Sequence, residues 1–201
     1  MPQKSRRPFK GNAPPGIFQT VDLSAGSGRY ALGRAIKFPQ RKYAAVDLEL
    51  HQKGLHASEL PQLKKHHVEI GTHNIAFMHA MQREGTRTRH LNMHLPEVGE
   101  EGMRMVNEML KLAPKVLLPN GKIFIASVDK AFLSNVGKFA QREGMRWSWR
   151  PTLPPHGYGR ESEWSEGLAH DPVYRITITC RPNAEQIKAK KEAALRKRFK
   201  F

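Results

Sequence analysis

The chain has a single cysteine, Cys180, which excludes an internal disulfide and any cysteine cage for zinc and suits an intracellular setting. Long apolar runs are also missing: nowhere do roughly 18 apolar residues follow one another, as a membrane-spanning helix would need. The opening stretch, Met1 to Lys10, lacks the apolar centre of a secretory signal, so a cytoplasmic location is expected. Acids are scarce as well. Against 34 Lys and Arg there are 18 Asp and Glu, a formal net charge of +16. A surface of that sign gathers polyanions and gains affinity when their counterions are released, which favours nucleic acid first and an anionic membrane surface second. The 201 residues suffice for one domain with a core that needs neither disulfides nor metal.

What is present is an alternation of two periods. Residues 1–15 are basic and punctuated by Pro and Gly, with no hydrophobic period, and read as a flexible arm. From there Ile17 to Leu23 is a β-branched run, Ser24-Ala25-Gly26-Ser27-Gly28 a small-residue turn, and Arg29 to Phe38 an amphipathic helix stopped by Pro39. Lys42 to Asp47 is a buried strand closing on a carboxylate. Glu49 to Lys65 reads as helix interrupted at Pro61, His67 to Ile70 as a third strand, and Asn74 to Arg83 as helix. Arg89 to Leu95 is a fourth strand, and Glu100 to Leu112 a helix whose apolar face holds Met103, Val106, Met109 and Leu110. Pro119-Asn120-Gly121 reads as a turn opening the strand Lys122 to Val128. Asp129 to Arg142 is helical, and Met145 to Trp149 and Val173 to Thr179 are strands. The tail, residues 183–201, is a basic surface helix or extension rich in Lys and Arg. Strands alternating with helices require crossover connections, so the expected fold is α/β: a doubly wound, mostly parallel seven-stranded sheet with an antiparallel edge strand, in one domain over residues 16–182.

Chemistry concentrates at Asp22-Leu23-Ser24-Ala25-Gly26-Ser27-Gly28. This is the carboxyl end of the first strand, where an open α/β sheet takes its ligand. Gly26 and Gly28 allow positive φ and close approach, and the helix that follows offers its N-terminal amides. Asp47 ends the second strand, where a carboxylate can accept both hydroxyls of a ribose. Gly26, Gly28 and Ala31 also satisfy the spacing of a dinucleotide turn, so the glycines do not separate nicotinamide cofactors from others. Asp22 separates them: a carboxylate opening the turn repels a pyrophosphate and suits a cationic sulfonium and amino group.

In these motifs the sequence resembles the class I S-adenosylmethionine-dependent methyltransferases, and among them the bacterial tRNA (guanine-N7-)-methyltransferase family. Asp22 to Gly28 resembles that family's E-I-G-x-G-x-G element, Ala45-Val46-Asp47 its G-I-E, and Ala126-Ser127-Val128-Asp129 its A-T-D. Ser162-Glu163-Trp164-Ser165-Glu166 with Pro172 to Ile176 resembles its T-x-Y-E segment and closing I-Y-R strand. Leu95-Pro96-Glu97-Val98 stands where the family has P-D-P-W, and Thr72-His73-Asn74 where it has D-A. The resemblance implies a Rossmann-like methyltransferase domain, S-adenosyl-L-methionine as cofactor and an RNA, tRNA above all, as substrate. It implies a cofactor site of Asp22, Ser24, Ala25, Gly26, Gly28, Asp47, Leu48, His73, Asn74 and Asn92. Glu97, Glu163 or Glu166 would face the base, and Arg6, Arg7, Lys10, Arg160 and Trp164 would contact RNA.

Two other functions fit parts of the pattern: a non-catalytic RNA-binding protein that retains the fold, and a nucleotide-dependent oxidoreductase. The ten histidines do not imply a metal, because His90 and His94 have helical ligand spacing in a stretch that reads as strand. Trp147 and Trp149 alternate on one strand and favour packing on a sheet face over base stacking, whereas Trp164 lies in a polar segment suited to stacking. Lys64-Lys65-His66-His67 is a solvated helix end, where cations suit the dipole. The chain is expected to be a monomer or weak dimer.

Overall fold

A strand followed by a helix is the repeating unit of the chain, and a computed structural model describes it over residues 16–26, 28–47, 59–94, 99–153 and 173–180. The elements run β1 (Ile17–Leu23), α1 (Arg29–Lys37), β2 (Tyr43–Val46), α2 (Glu59–Lys65), β3 (Glu69–Gly71) and α3 (Asn74–Arg83). They continue β4 (Arg87–His94), α4 (Glu100–Val116), β5 (Leu117–Ser127), α5 (Lys130–Arg142), β6 (Arg146–Leu153) and β7 (Val173–Thr179). The strands form one seven-stranded sheet in the order β3-β2-β1-β4-β5-β7-β6. Pairing is parallel from β3 across to β5 and antiparallel on both sides of β7. The antiparallel element expected at one edge is therefore present, with β7 running against its neighbours one place in and β6 forming the edge itself.

Period-2 alternation sends each strand's side chains to two different layers. On one face Leu91, Met93, Ile123, Ile125, Ile176 and Ile178 pack against α3, α4 and α5 through Met78, Met109, Leu110, Leu133 and Val136, all fully buried. On the other, Tyr43 and Ala45 pack against Ala31 and Ala35 of α1 and Leu63 of α2. Helices thus lie on both faces, the doubly wound arrangement. The order of strands reverses between β1 and β4, which opens a crevice at their carboxyl ends.

Several boundaries differ from the sequence reading for identifiable reasons. Helix α4 continues past Leu112 to Val116 with Pro114 inside its last turn, where Leu112, Ala113 and Val116 are buried in the core. Tertiary burial there outweighs the breaking tendency of one proline. Pro119-Asn120-Gly121 is not a turn before β5 but lies within it. The pairing steps from Thr88 opposite Leu117 to His90 opposite Lys122, so the extra residues bulge outward, with Asn120 at φ 64. Strand β6 runs on to Leu153, and α1 ends at Lys37 with Phe38 as its C-cap. The helix expected from Glu49 is described from Glu59, and the segments 1–15, 154–172 and 181–201 lie outside the described residues.

Helix α5 begins where Asp129 accepts a hydrogen bond from Phe132 N at 2.9 Å, while Ser127 Oγ accepts one from Asp129 N at 3.1 Å. The Ala126 to Asp129 stretch is therefore an N-cap, satisfying amides that the first helical turn leaves open. Trp147 lies flat over Gly137 of α5, a position where any Cβ would come within 2.4 Å of the indole.

Candidate cofactor-binding site

At the crevice, β1 ends with Val21 and Leu23 turned into the larger core and Asp22 turned to the opposite face, 1% exposed. Asp22 is level with Ala45 on β2 and with Asn92 on β4, and Asn92 is itself buried at 4% exposure. A carboxylate at that depth is costly to keep. It stands at the start of a turn in which Ser24, Gly26 and Gly28 have φ 56, 54 and 78.

That turn is held at each step. Ala25 N donates to Val46 O at 3.2 Å, Gly26 N donates to Asp47 Oδ2 at 2.9 Å, and Gly28 N donates back to Ala25 O at 2.9 Å. Asp47 N in turn donates to Gly71 O at 3.0 Å, which fixes the end of β2 against β3. The positive φ of Ser24 is unusual for a residue with a side chain, and a two-point latch accounts for it. Asn74 Nδ2 donates to Ser24 Oγ at 2.9 Å, and Ser24 N donates to Asn74 Oδ1 at 3.1 Å. Asn74 opens α3, and its amide also reaches Met105 Sδ of α4 at 3.5 Å, which ties both helices to the loop. Gly28 is required twice over, by its φ and because a Cβ there would come within 2.9 Å of Leu63 Cδ1.

Of the residues singled out from the sequence, Asp22, Ser24, Ala25, Gly26, Gly28, Asp47, Asn74 and Asn92 gather at this one end of the sheet. Asp22 and Asp47 flank the turn from neighbouring strands. His73 occupies the N-cap position of α3 with extended backbone and an exposed side chain that makes no cap bond. Leu48, Glu97, Glu163 and Glu166, and with them Arg6, Arg7, Lys10, Arg160 and Trp164, lie outside the described residues. The latch between Asn74 and Ser24 was not read from the sequence. A serine where the resembled family has glycine was the available signal, since such a residue at positive φ needs a bonding partner.

Elsewhere, burial lowers the pKa of His90 below 6.5, with the charges of Lys122, Arg89, Arg34 and Arg41 acting in the same direction. Burial raises the Cys180 thiol to about 11. Among the described residues no group of three or more His, Cys, Asp or Glu could hold a metal ion, and no helix is long and apolar enough to cross a membrane.

The order of strands and the helices on both faces give the Rossmann-like fold that is also seen in solved methyltransferase structures. The chain is similar to the precorrin-6y C5,15-methyltransferase of Geobacter metallireducens GS-15, with TM-score 0.54, 16% identity, and 82% of this chain and 81% of that chain covered. It is similar to the 16S rRNA methyltransferase KamB, with TM-score 0.59, 14% identity and coverage of 83% and 88%. The aminoglycoside resistance methyltransferase NpmB1 gives TM-score 0.57, 13% identity and coverage of 83% and 87%. None of these three is a tRNA guanine-N7 enzyme by name. No protein-family model matches the chain, and no curated protein does.

Proposed function

We propose that the chain is an S-adenosylmethionine-dependent methyltransferase acting on RNA, with N7 of a guanine in tRNA as the acceptor its sequence resembles most. One observation carries the cofactor reading: a turn with three positive φ angles, flanked by Asp22 and Asp47, at the switch point of the sheet. The residues there fit an adenosyl sulfonium. Asp47 stands where a ribose is met and Asp22 where a cationic amino group and sulfonium gain from a nearby carboxylate. A pyrophosphate would meet that same carboxylate unfavourably, which disfavours the oxidoreductase. The similar structures add support, since they are methyltransferases and one of them acts on 16S rRNA by name. The net charge of +16 supports a polyanionic substrate.

When bound, the cofactor supplies a methyl group activated on sulfur. Guanine N7 carries an exposed lone pair, so no proton has to leave before it attacks, and positioning does most of the work. A carboxylate from Glu97, Glu163 or Glu166 beside the base would orient its N1 and N2 donors and stabilise positive charge on the ring. The binding test is thermal shift. S-adenosylmethionine or its demethylated product should raise the unfolding temperature of the wild type, and Asp22→Ala and Asp47→Ala should abolish the shift. A shift with NAD alone supports an oxidoreductase, and none with either cofactor supports a bare RNA binder. Digesting RNA after incubation with methyl-labelled cofactor identifies the nucleoside. Label anywhere but 7-methylguanosine overturns the N7 assignment, and full activity of Glu97→Gln, Glu163→Gln and Glu166→Gln overturns the base-side carboxylate.

A further inference from the structure

The face of the sheet that carries Asp22 changes character beyond β1. Over β2 and β3 it is apolar and packed against α1 and α2, and among the described residues that apolar cluster holds no residue of β1, β4, β5, β6 or β7. Cross-strand register instead aligns His90, Lys122, Thr179 and Arg146 in one row. Asn92, Phe124, Thr177 and Ser148 form the next, in line with Asp22. Lys122, Arg146, Ser148 and Arg150 are exposed. Among the described residues the only carboxylate in these rows is Asp22, which is buried at the cofactor turn. An α/β sheet normally hides such a face under helices; here half of it is polar and cationic.

Part of the surface is also pre-shaped. The Arg150 guanidinium lies 5.0 Å from the centroid of the Phe124 ring, and its Nε donates to Thr177 Oγ1 at 2.6 Å, so the planar group is held against the sheet. The His90 ring meets Phe124 edge-on at 5.5 Å. At the margin nearest α1, Arg34 and Arg41 each lie 4.9 Å from the Phe38 ring. Burial first, and then the charges of Lys122, Arg89, Arg34 and Arg41, lower the pKa of His90. Among the described residues the large hydrophobic side chains that stand exposed, Ile36 and Trp149, are not in these rows, so the rows themselves offer a membrane no apolar anchor.

We propose that the β4-β5-β7-β6 half of this face binds an unpaired stretch of RNA, with phosphates on Lys122 and Arg146 and a base stacked on the outer side of the Arg150 guanidinium. A flat, hydrogen-bonding strand surface with a planar cation suits splayed bases, which a packed helical layer does not. The surface rests on the RNA reading proposed above and leads to its site, since Asn92 lies in these rows beside Asp22.

The test is fluorescence anisotropy of the full chain with a labelled, unstructured RNA oligonucleotide over a salt series. Two triple variants of equal charge change are compared. One is Lys122→Glu, Arg146→Glu and Arg150→Glu on this face; the other is Lys111→Glu, Lys138→Glu and Arg142→Glu on α4 and α5. The face triple should weaken binding by about tenfold or more and flatten the salt slope by about 2, and the helix triple should do much less. Arg150→Lys keeps the charge and removes the planar group, and should weaken binding about threefold for normal RNA with no loss for an abasic strand. Equal losses in both triples overturn the surface while leaving the RNA reading intact. Absence of RNA binding by the wild type, including the case where it binds phosphatidylglycerol vesicles instead, overturns both. Face-specific loss in a protein with no S-adenosylmethionine shift supports the surface and removes the methyltransferase reading.

Discussion

Ser24 sits at φ 56 with a side chain that glycine would spare it, and Asn74 bonds both its amide and its hydroxyl. Two hydrogen bonds of that kind are together worth on the order of 1–3 kcal/mol. Asn74→Ala should therefore lower stability by about that amount and, because the loop loses its latch, weaken S-adenosylmethionine binding more than a distant substitution of equal cost. Chemical denaturation and cofactor titration of the same variant check this; unchanged affinity at reduced stability would limit Asn74 to a structural role. The acids at the site could be read from the sequence, since a carboxylate closing each of two strands is a local pattern. The latch could not, because it joins residues 50 apart in the chain through the packing of α3 beside β1. Asn74 and His73 both belong to the cofactor site that the resemblance implies, and of the two it is Asn74 whose amide engages the loop.

Helix α5 and strand β6 meet where Trp147 covers Gly137, and a Cβ at that position would sit 2.4 Å from the indole. Overpacking of this kind costs about 1–3 kcal/mol, so Gly137→Ala should lower the unfolding temperature measurably, and Gly137→Ala with Trp147→Leu should recover part of the loss. If the single variant is as stable as the wild type, the indole moves more freely than this packing implies. At the level of elements the fold was legible in the sequence, because strands bounded by Gly and Pro and helices with an apolar stripe carry their own period. Asn74 to Arg83 and Val173 to Thr179 match the observed bounds residue for residue. The misreadings lie where packing overrides local preference: Pro114 inside the end of α4, and Pro119 to Gly121 absorbed as a bulge in β5. Trp147 and Trp149 do share one side of β6, with ring centroids 5.7 Å apart, as their alternation required.

Across the whole molecule, charge sets a pH dependence. His90 is held below its ordinary pKa of 6.5, first by burial and then by the cations around it. The unfolded chain thus takes up this proton before the folded one, and stability falls as pH drops through 6.5 and below. His90→Gln should flatten the acid side of a plot of unfolding temperature against pH relative to the wild type; parallel curves would show that other groups dominate. The sheet order has a different outcome. Among the described residues strand β6 pairs only with β7, which comes later in the chain, and β5 likewise waits for β7 on one side. As synthesis proceeds from the N-terminus, both β5 and β6 present open hydrogen-bonding edges until Val173–Thr179 has left the ribosome and slid between them. The nascent polypeptide passes through an interval of exposed strand edges, the stage at which a chaperone has most to protect.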